Sequence, residues 1–325
     1  MSALEASATP GEPVIEARGL VRHFGRFVAV DDVDVTVAAG EVFGLLGANG
    51  AGKTTIIRML CGLLPPTAGD IRVAGIDMVR HARRARARIG YVAQRFALYG
   101  ELSVRENLVL QAGLFGLHGK RRGERLERVL ERMTLTGRVD IPTGRLPLGY
   151  QRRLSLGAAL LHEPDVLFLD EPTSGVDPEA RQRFWELIYE LAEAGIGILV
   201  TTHYMDEAEF CDRLALMHAG RIVEEGSPSE LVQRPDASPM LRVHSRDSQA
   251  CTRALEAWSE VREAVPHAGW LRVRLGVGTD AAALCARIEE AAARGELPVD
   301  RVEQVAPELE EVFVTVLERS AGVSP

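Results

Sequence analysis

Residues Gly47–Thr54 read GANGAGKT, a G-x-x-x-x-G-K-T loop entered from the apolar run Val42–Leu46. Nothing else in the chain restricts its fold as much, because such a loop works only between a buried strand and the start of a helix. Gly47, Gly50 and Gly52 let successive backbone N–H groups turn inward on a phosphate. Lys53 adds a point charge, Thr54 offers a hydroxyl to Mg²⁺, and the helix that starts there aims its positive end at the anion. The expected phosphate contacts are therefore Gly47, Ala48, Asn49, Gly50, Ala51, Gly52, Lys53, Thr54 and Thr55.

Two further apolar runs end in groups that such a site needs. Val166–Leu169 leads into Asp170 and Glu171 in VLFLDEP. A first carboxylate at a strand end anchors Mg²⁺, and a second takes a proton from an attacking water. An apolar run ending in Asp-Glu can also be no more than a strand meeting solvent; the loop upstream and the PTSGVD stretch that follows favour the chemical reading. Ile198–Thr202 runs into His203 in ILVTTHYMDEAE. A histidine at a strand end is most often a surface residue, but here it closes a third strand at the spacing of a γ-phosphate sensor.

With these three motifs in this order, the chain resembles the nucleotide-binding subunits of ABC transporters over about residues 14 to 235. The resemblance implies an α/β fold: a P-loop NTPase of ABC type with a mixed sheet core, an antiparallel β subdomain and a helical subdomain, followed by a small C-terminal α+β domain. It makes Gln94 in IGYVAQ the Q-loop glutamine, a catalytic and Mg²⁺-facing residue beside Thr54 and Asp170. It makes Ser174 to Asp177 the D-loop, with Asp177 at the nucleotide, and Phe24 in RHFGRFVAV the aromatic that stacks on adenine. Glu171 is then the general base, with His203 and Lys53 on the γ-phosphate.

One motif departs from the family. Where the signature L-S-G-G-Q is usual, this chain has Leu146-Pro147-Leu148-Gly149-Tyr150. The signature serine is replaced by proline and the first glycine by leucine. Gly149, Tyr150 and a helix expected to begin near Gln151 are left to face a partner's phosphate through backbone N–H groups. Signatures of this kind, and the stretch from Gly149 to Pro178, resemble the type-2 exporter ATPases of the multidrug-efflux kind. A degenerate, catalytically weak site is the competing reading.

Composition restricts the setting. Four cysteines, Cys61, Cys211, Cys251 and Cys285, lack metal-ligand or disulfide spacing. The N-terminus MSALEASATPGEP has neither an apolar core nor a basic flank, so residues 1–13 read as a disordered start rather than a signal peptide. No apolar run reaches the ~18–20 residues of a membrane helix, so transport requires a separate membrane subunit. A net charge of −8 argues against a nucleic-acid binder. Two basic clusters, Arg80 to Arg88 and Lys120 to Arg128, read as solvated helix faces, with lipid headgroups or an acidic membrane partner as the alternative.

Val14–Leu20 and Val33–Val37 alternate as antiparallel strands do, and a helical insertion runs from about 96 to 162. The nucleotide-binding domain is assigned to 14–236 and an accessory domain to 237–325, with Pro228–Pro239 as the linker. In the accessory domain LRVRLGV reads as a strand, Thr279 as the cap of a helix over Asp280–Arg294, and Pro307 as the first turn of a last helix.

These readings combine into an ATPase subunit, cytoplasmic and peripheral to the inner face of the membrane. By resemblance it forms an ATP sandwich with a second copy of itself and powers export through a permease, with a periplasmic adaptor as a possible further partner and no nucleic acid. An ABC ATPase doing mechanical or regulatory work without transport is the alternative. A nucleic-acid-handling relative is disfavoured by the absence of a coiled-coil insertion, a second P-loop and a basic face.

Overall fold

Residues 12–234, 238–267 and 269–320 are described by the computed structural model. They divide into two compact units between Glu225 and Gly226. The first unit opens with β1 (Pro13–Phe24) and β2 (Phe27–Ala38), paired antiparallel across a turn at Gly25. Val33, Val35 and Val37 are buried while Asp32, Asp34 and Thr36 are exposed, so one face of this ribbon packs inward and the other meets solvent. β3 (Val42–Leu46) and α1 (Lys53–Leu60) follow. β4 (Ala68–Val73) and β5 (Ile76–Asp77) then complete a four-stranded sheet in the order β2-β1-β4-β5.

After α2 (Ala82–Arg86) and β6 (Ile89–Val92), the chain leaves the core for three helices, α3 (Val104–Leu114), α4 (Gly119–Arg132) and α5 (Leu148–Leu160). This is the helical insertion. Ser103 opens α3 through a capping box with Glu106. The chain returns through β7 (Val166–Asp170), α6 (Pro178–Glu193), β8 (Gly197–Thr202), α7 (Met205–Ala208), β9 (Arg213–His218) and β10 (Arg221–Gly226).

The central sheet has the order β10-β9-β3-β8-β7-β6, with β9, β3, β8, β7 and β6 parallel. Every residue of β3, β7 and β8 is buried, which is why these strands read as unbroken apolar runs rather than alternation. Their carboxyl ends lie side by side, with Leu46 level with Thr202 and Asp170 level with Thr201. The loops that leave them therefore converge on one edge of the sheet, where open α/β sheets bind ligands.

The second unit comprises α8 (Pro228–Val232), β11 (Met240–Ser245), α9 (Ser248–Glu256), β12 (Val261–His267), β13 (Trp270–Leu275), α10 (Ala281–Ala293), β14 (Val299–Val305) and α11 (Leu309–Ser320). Its sheet runs β12-β13-β11-β14, antiparallel throughout, a βαββαβ arrangement of ferredoxin-like type. Leu241, Val243, Leu271 and Val273 on one face pack with Leu255 and Ile288.

Several local expectations need correction here. The front of the expected linker is α8, closed by a capping box between Ser227 and Glu230, and residues 235–237 lie outside the described residues, as do residues 1–11. β13 stops at Leu275, and Val277 is exposed beyond it. Asp280, not Thr279, caps α10, because its carboxylate accepts from Ala283 N at 3.0 Å. Pro307 precedes α11, which opens where the Glu308 carbonyl accepts from Glu311 and Val312.

Candidate functional site

The loop between β3 and α1 is wedged between its neighbours. A Cβ on Gly47 would lie 2.4 Å from Met217 O, and one on Gly52, at φ 113°, 2.5 Å from Ala29 O. Only glycine fits both positions. α1 makes its first internal hydrogen bond from Ile56 to Gly52 O, so the amides of Lys53, Thr54 and Thr55 form its open N-terminus. Lys53 Nζ lies inside the turn, donating to Gly47 O at 2.6 Å and Ala48 O at 3.2 Å, with Glu171 Oε1 3.9 Å away. Burial pulls the ammonium below its usual pKa, against the opposing pull of Glu171 and Asp170.

The two carboxylates are held differently. Asp170 Oδ1 accepts from Thr201 Oγ1 at 2.8 Å and from Thr54 Oγ1 at 3.1 Å. Burial raises its pKa and the neighbouring Glu171 adds to the rise, while the two hydroxyls favour the charged form. Glu171 has left the strand: its φ is 46°, and its N–H is shared by Thr201 O at 3.1 Å and Thr201 Oγ1 at 3.0 Å. A left-handed backbone at a glutamate costs about 1–2 kcal/mol, and here it turns the side chain out of the strand row. Glu171 Oε2 accepts from Gln94 Nε2 at 2.8 Å, and His203 Nδ1 lies 3.3 Å from the same oxygen, off hydrogen-bond alignment. The His203 ring rests on Tyr204 (centroids 4.1 Å apart), which lies beneath the Arg181 guanidinium.

Lys53, Thr54, Gln94, Asp170, Glu171 and His203, remote in sequence, therefore meet at the ends of β3, β7 and β8. Phe24, Asp177, Gly149 and Tyr150 stand apart from them. Phe24 is half exposed at the β1–β2 turn, with the Arg22 guanidinium 4.6 Å from its ring centre. Asp177 caps α6, accepting from Ala180 N at 3.0 Å ahead of Pro178. Gly149 and Tyr150 share with Asp177 the wall of a hollow of about 180 Å³, and the Arg138 guanidinium lies over the Tyr150 ring.

α5 starts at Leu148 rather than near Gln151. Pro147, at φ −54° and ψ 148°, caps it with a carbonyl that accepts from Tyr150 and Gln151. The open amides at this end are thus those of Leu148 and Gly149.

Glu207 was not singled out from the sequence, because HYMDEAE reads as an acidic helix start. It is 1% exposed, accepts from the hydroxyls of Thr173 and Thr202, and lies 3.4 Å from Arg181 Nε. It ties the segment after Glu171 to the strand end before His203. Arg152 was also missed; it is buried on α5, with Nη1 donating to Gln94 O at 2.7 Å.

A second, larger hollow of about 450 Å³ lies where β6, α3 and α5 meet, lined by Tyr91, Arg95, Leu98, Phe115 and His162 among others. His162 stacks flat on Phe115 at 3.7 Å, and its Nε2 lies 2.9 Å from Ile89 O. Burial pushes its pKa down to about 4. The second basic cluster is partly spent inside the chain, since Arg125 and Arg128 both engage Glu163.

The profile of the family described as ABC transporter matches residues 30–174. The probable multidrug ABC transporter ATP-binding protein YbhF of Escherichia coli is 49% identical over 223 residues, 69% of this chain but 39% of YbhF. The chain thus spans about two fifths of that relative's length. The Nod factor export ATP-binding protein I of Sinorhizobium fredii is 38% identical over 255 residues, 78% of this chain and 74% of that protein. The chain belongs to the ATP-binding proteins of ABC transporters. Solved structures agree: an ATP-binding subunit of an ABC transporter superposes with a TM-score of 0.61 at 30% identity, covering 67% of this chain and 91% of that one. For cbiO1 of Clostridium perfringens the TM-score is 0.63 at 29% identity, covering 68% and 90%. As an ABC protein the chain has the fold its sequence implied, and among the described residues no helix is long and apolar enough to cross a membrane.

Proposed function

We propose that this ABC protein binds and hydrolyses ATP and thereby powers export of an amphipathic compound, of the drug type, through a separate membrane permease. The observation that carries the reading is the convergence of Lys53, Asp170, Glu171, Gln94 and His203 on the mouth of the glycine loop. Lys53 and the loop amides bind the triphosphate, and Phe24 stacks on adenine. Glu171 holds the attacking water and takes its proton at a carboxylate oxygen, while Gln94 fixes that carboxylate. His203, propped by Tyr204, faces the γ-phosphate.

The residues fit Mg²⁺: Thr54 Oγ1 and Asp170 Oδ1 form an all-oxygen pair at the loop mouth, the donor type Mg²⁺ takes beside phosphate oxygens, with Gln94 as the third candidate. An Mg²⁺ held by these residues would supply neutralising charge for the phosphates. Two copies form the sandwich, the Leu148–Tyr150 end of one facing the nucleotide of the other, with Asp177 beside it. The 450 Å³ hollow behind Gln94 seats a cytoplasmic segment of the permease, because it joins the nucleotide site to the helical insertion. The chain then works on the cytoplasmic face of the membrane, and a periplasmic adaptor would extend the export path.

The test uses inside-out vesicles carrying the full chain with the membrane subunit that co-purifies with it. ATP should drive accumulation of an amphipathic dye, and Lys53→Met should abolish it. ATP turnover with no compound moved would favour mechanical work instead.

A further inference from the structure

Arg152 presents an unusual charge balance. It lies on the second turn of α5 and is 6% exposed. Among the described residues no ion pair includes it. Its Nη1 donates to Gln94 O at 2.7 Å and its Nη2 to Ser174 O at 3.4 Å, while Nε is buried without a partner. A buried cation without a counter-ion is costly, and it persists only where its geometry is otherwise imposed. These two carbonyls belong to the loop after β6 and the loop after β7. Gln94 in turn holds Glu171 through its side chain.

The open end of the same helix leans on the second loop. Leu148 Cδ2 lies 3.4 Å from where a Gly175 Cβ would sit, and a Cβ on Gly149 would come within 2.8 Å of Ala180. One guanidinium fork therefore joins three pieces: α5, the Gln94 loop and the Ser174 loop.

We propose that Arg152 is a positioning residue that makes the Gln94–Glu171 contact depend on the orientation of α5. The proposal rests on the ATPase reading of this site. In the two-copy sandwich the N-terminus of α5 faces the partner's nucleotide. Seating it fixes Arg152, which draws in the Gln94 carbonyl and sets that residue's amide against Glu171 in its own site. Occupancy of one site thereby readies the other for hydrolysis, so turnover rises cooperatively with ATP. Lysine cannot replace the arginine, because an ammonium lacks the planar fork that spans two carbonyls.

The experiment compares the full chain with Arg152→Lys and Arg152→Met, measuring turnover against ATP concentration, fluorescent-nucleotide affinity and thermal midpoint. Both variants should lose about tenfold in kcat, and the Hill coefficient should fall from above one to one. Nucleotide affinity should stay within about twofold, and Arg152→Met should melt no lower than the wild-type chain, since it removes a buried unpaired charge. Wild-type kcat in Arg152→Lys, or a Hill coefficient of one in the unaltered chain, overturns the proposal. So does a kcat loss matched by lost affinity or a lower melting point, which marks a merely structural role. Glu171→Gln serves as the control: if it turns over like the wild-type chain, the site reading fails rather than the role of Arg152.

Discussion

Glu171 combines two demands that a pair of substitutions separates. Its carboxylate is the candidate base, and its backbone sits at φ 46°, a region that disfavours any residue with a Cβ. Glu171→Gln keeps the side-chain volume and an oxygen for Gln94 Nε2 but removes the base, so turnover should fall by ~10²–10⁴-fold. Glu171→Gly removes the base and also relieves the backbone. The relief is about 1–2 kcal/mol, offset by about 0.5–1 kcal/mol of extra chain entropy in the unfolded glycine variant. A net gain of up to about 1.5 kcal/mol, centred on roughly 0.75, remains relative to Glu171→Gln, which keeps the strain. For a unit of this size a gain of about 0.75 kcal/mol corresponds to roughly 1.5–3 °C in thermal midpoint. The assay is scanning calorimetry of the nucleotide-free chains beside steady-state ATPase at saturating ATP. A glycine variant that melts no higher than the glutamine variant refutes the strain argument. Wild-type turnover in either one would falsify the assignment of the base.

Two further outcomes follow from packing and burial. Gly149→Ala should destabilise the chain by about 1–3 kcal/mol through overpacking against Ala180, whereas Pro147→Ala should change stability by under about 1 kcal/mol; thermal melting of the two variants checks the contrast, and equal effects would remove the packing role of Gly149. His162, held at a pKa of about 4 against 6.5 in the unfolded chain, binds fewer protons folded than unfolded, so its contribution is complete above pH 6.5 and fades as pH falls towards 4. Between about pH 7 and pH 5 the wild-type chain should lose about 2 kcal/mol relative to His162→Phe, read from urea midpoints at each pH; parallel profiles would show that the imidazole titrates freely.

Much of the candidate site was legible because it is written in short contiguous signals. A parallel strand buried on both faces is an apolar run, and a site at its carboxyl end must use the next one or two residues. Val42–Leu46, Val166–Asp170 and Gly197–Thr202 are such runs, and the groups just beyond them meet in space. Phe24 carries no such guarantee. Its position depends on a hairpin turn, and its stacking partner Arg22 is anchored to Pro65 O, a contact that no periodicity announces. The same limit hid Glu207 and Arg152, whose partners sit on other loops and helices that only the folded chain brings near.

Helix starts show where local reading fails. Thr279 and Asp280 are both good capping types, and only the backbone geometry selects Asp280. At the altered signature, a proline reads locally as an interruption that delays the helix to Gln151. It is the cap instead, because a proline at φ −54° still offers its carbonyl to the first turn while giving no side-chain oxygen. The amides left open at this end are those of Leu148 and Gly149, and a glycine at 149 is required first by Ala180. A residue retained for packing need not touch phosphate at all. The departure from the family pattern at Pro147 and Leu148 leaves the helix terminus intact, and with it the part of the signature that the backbone alone provides.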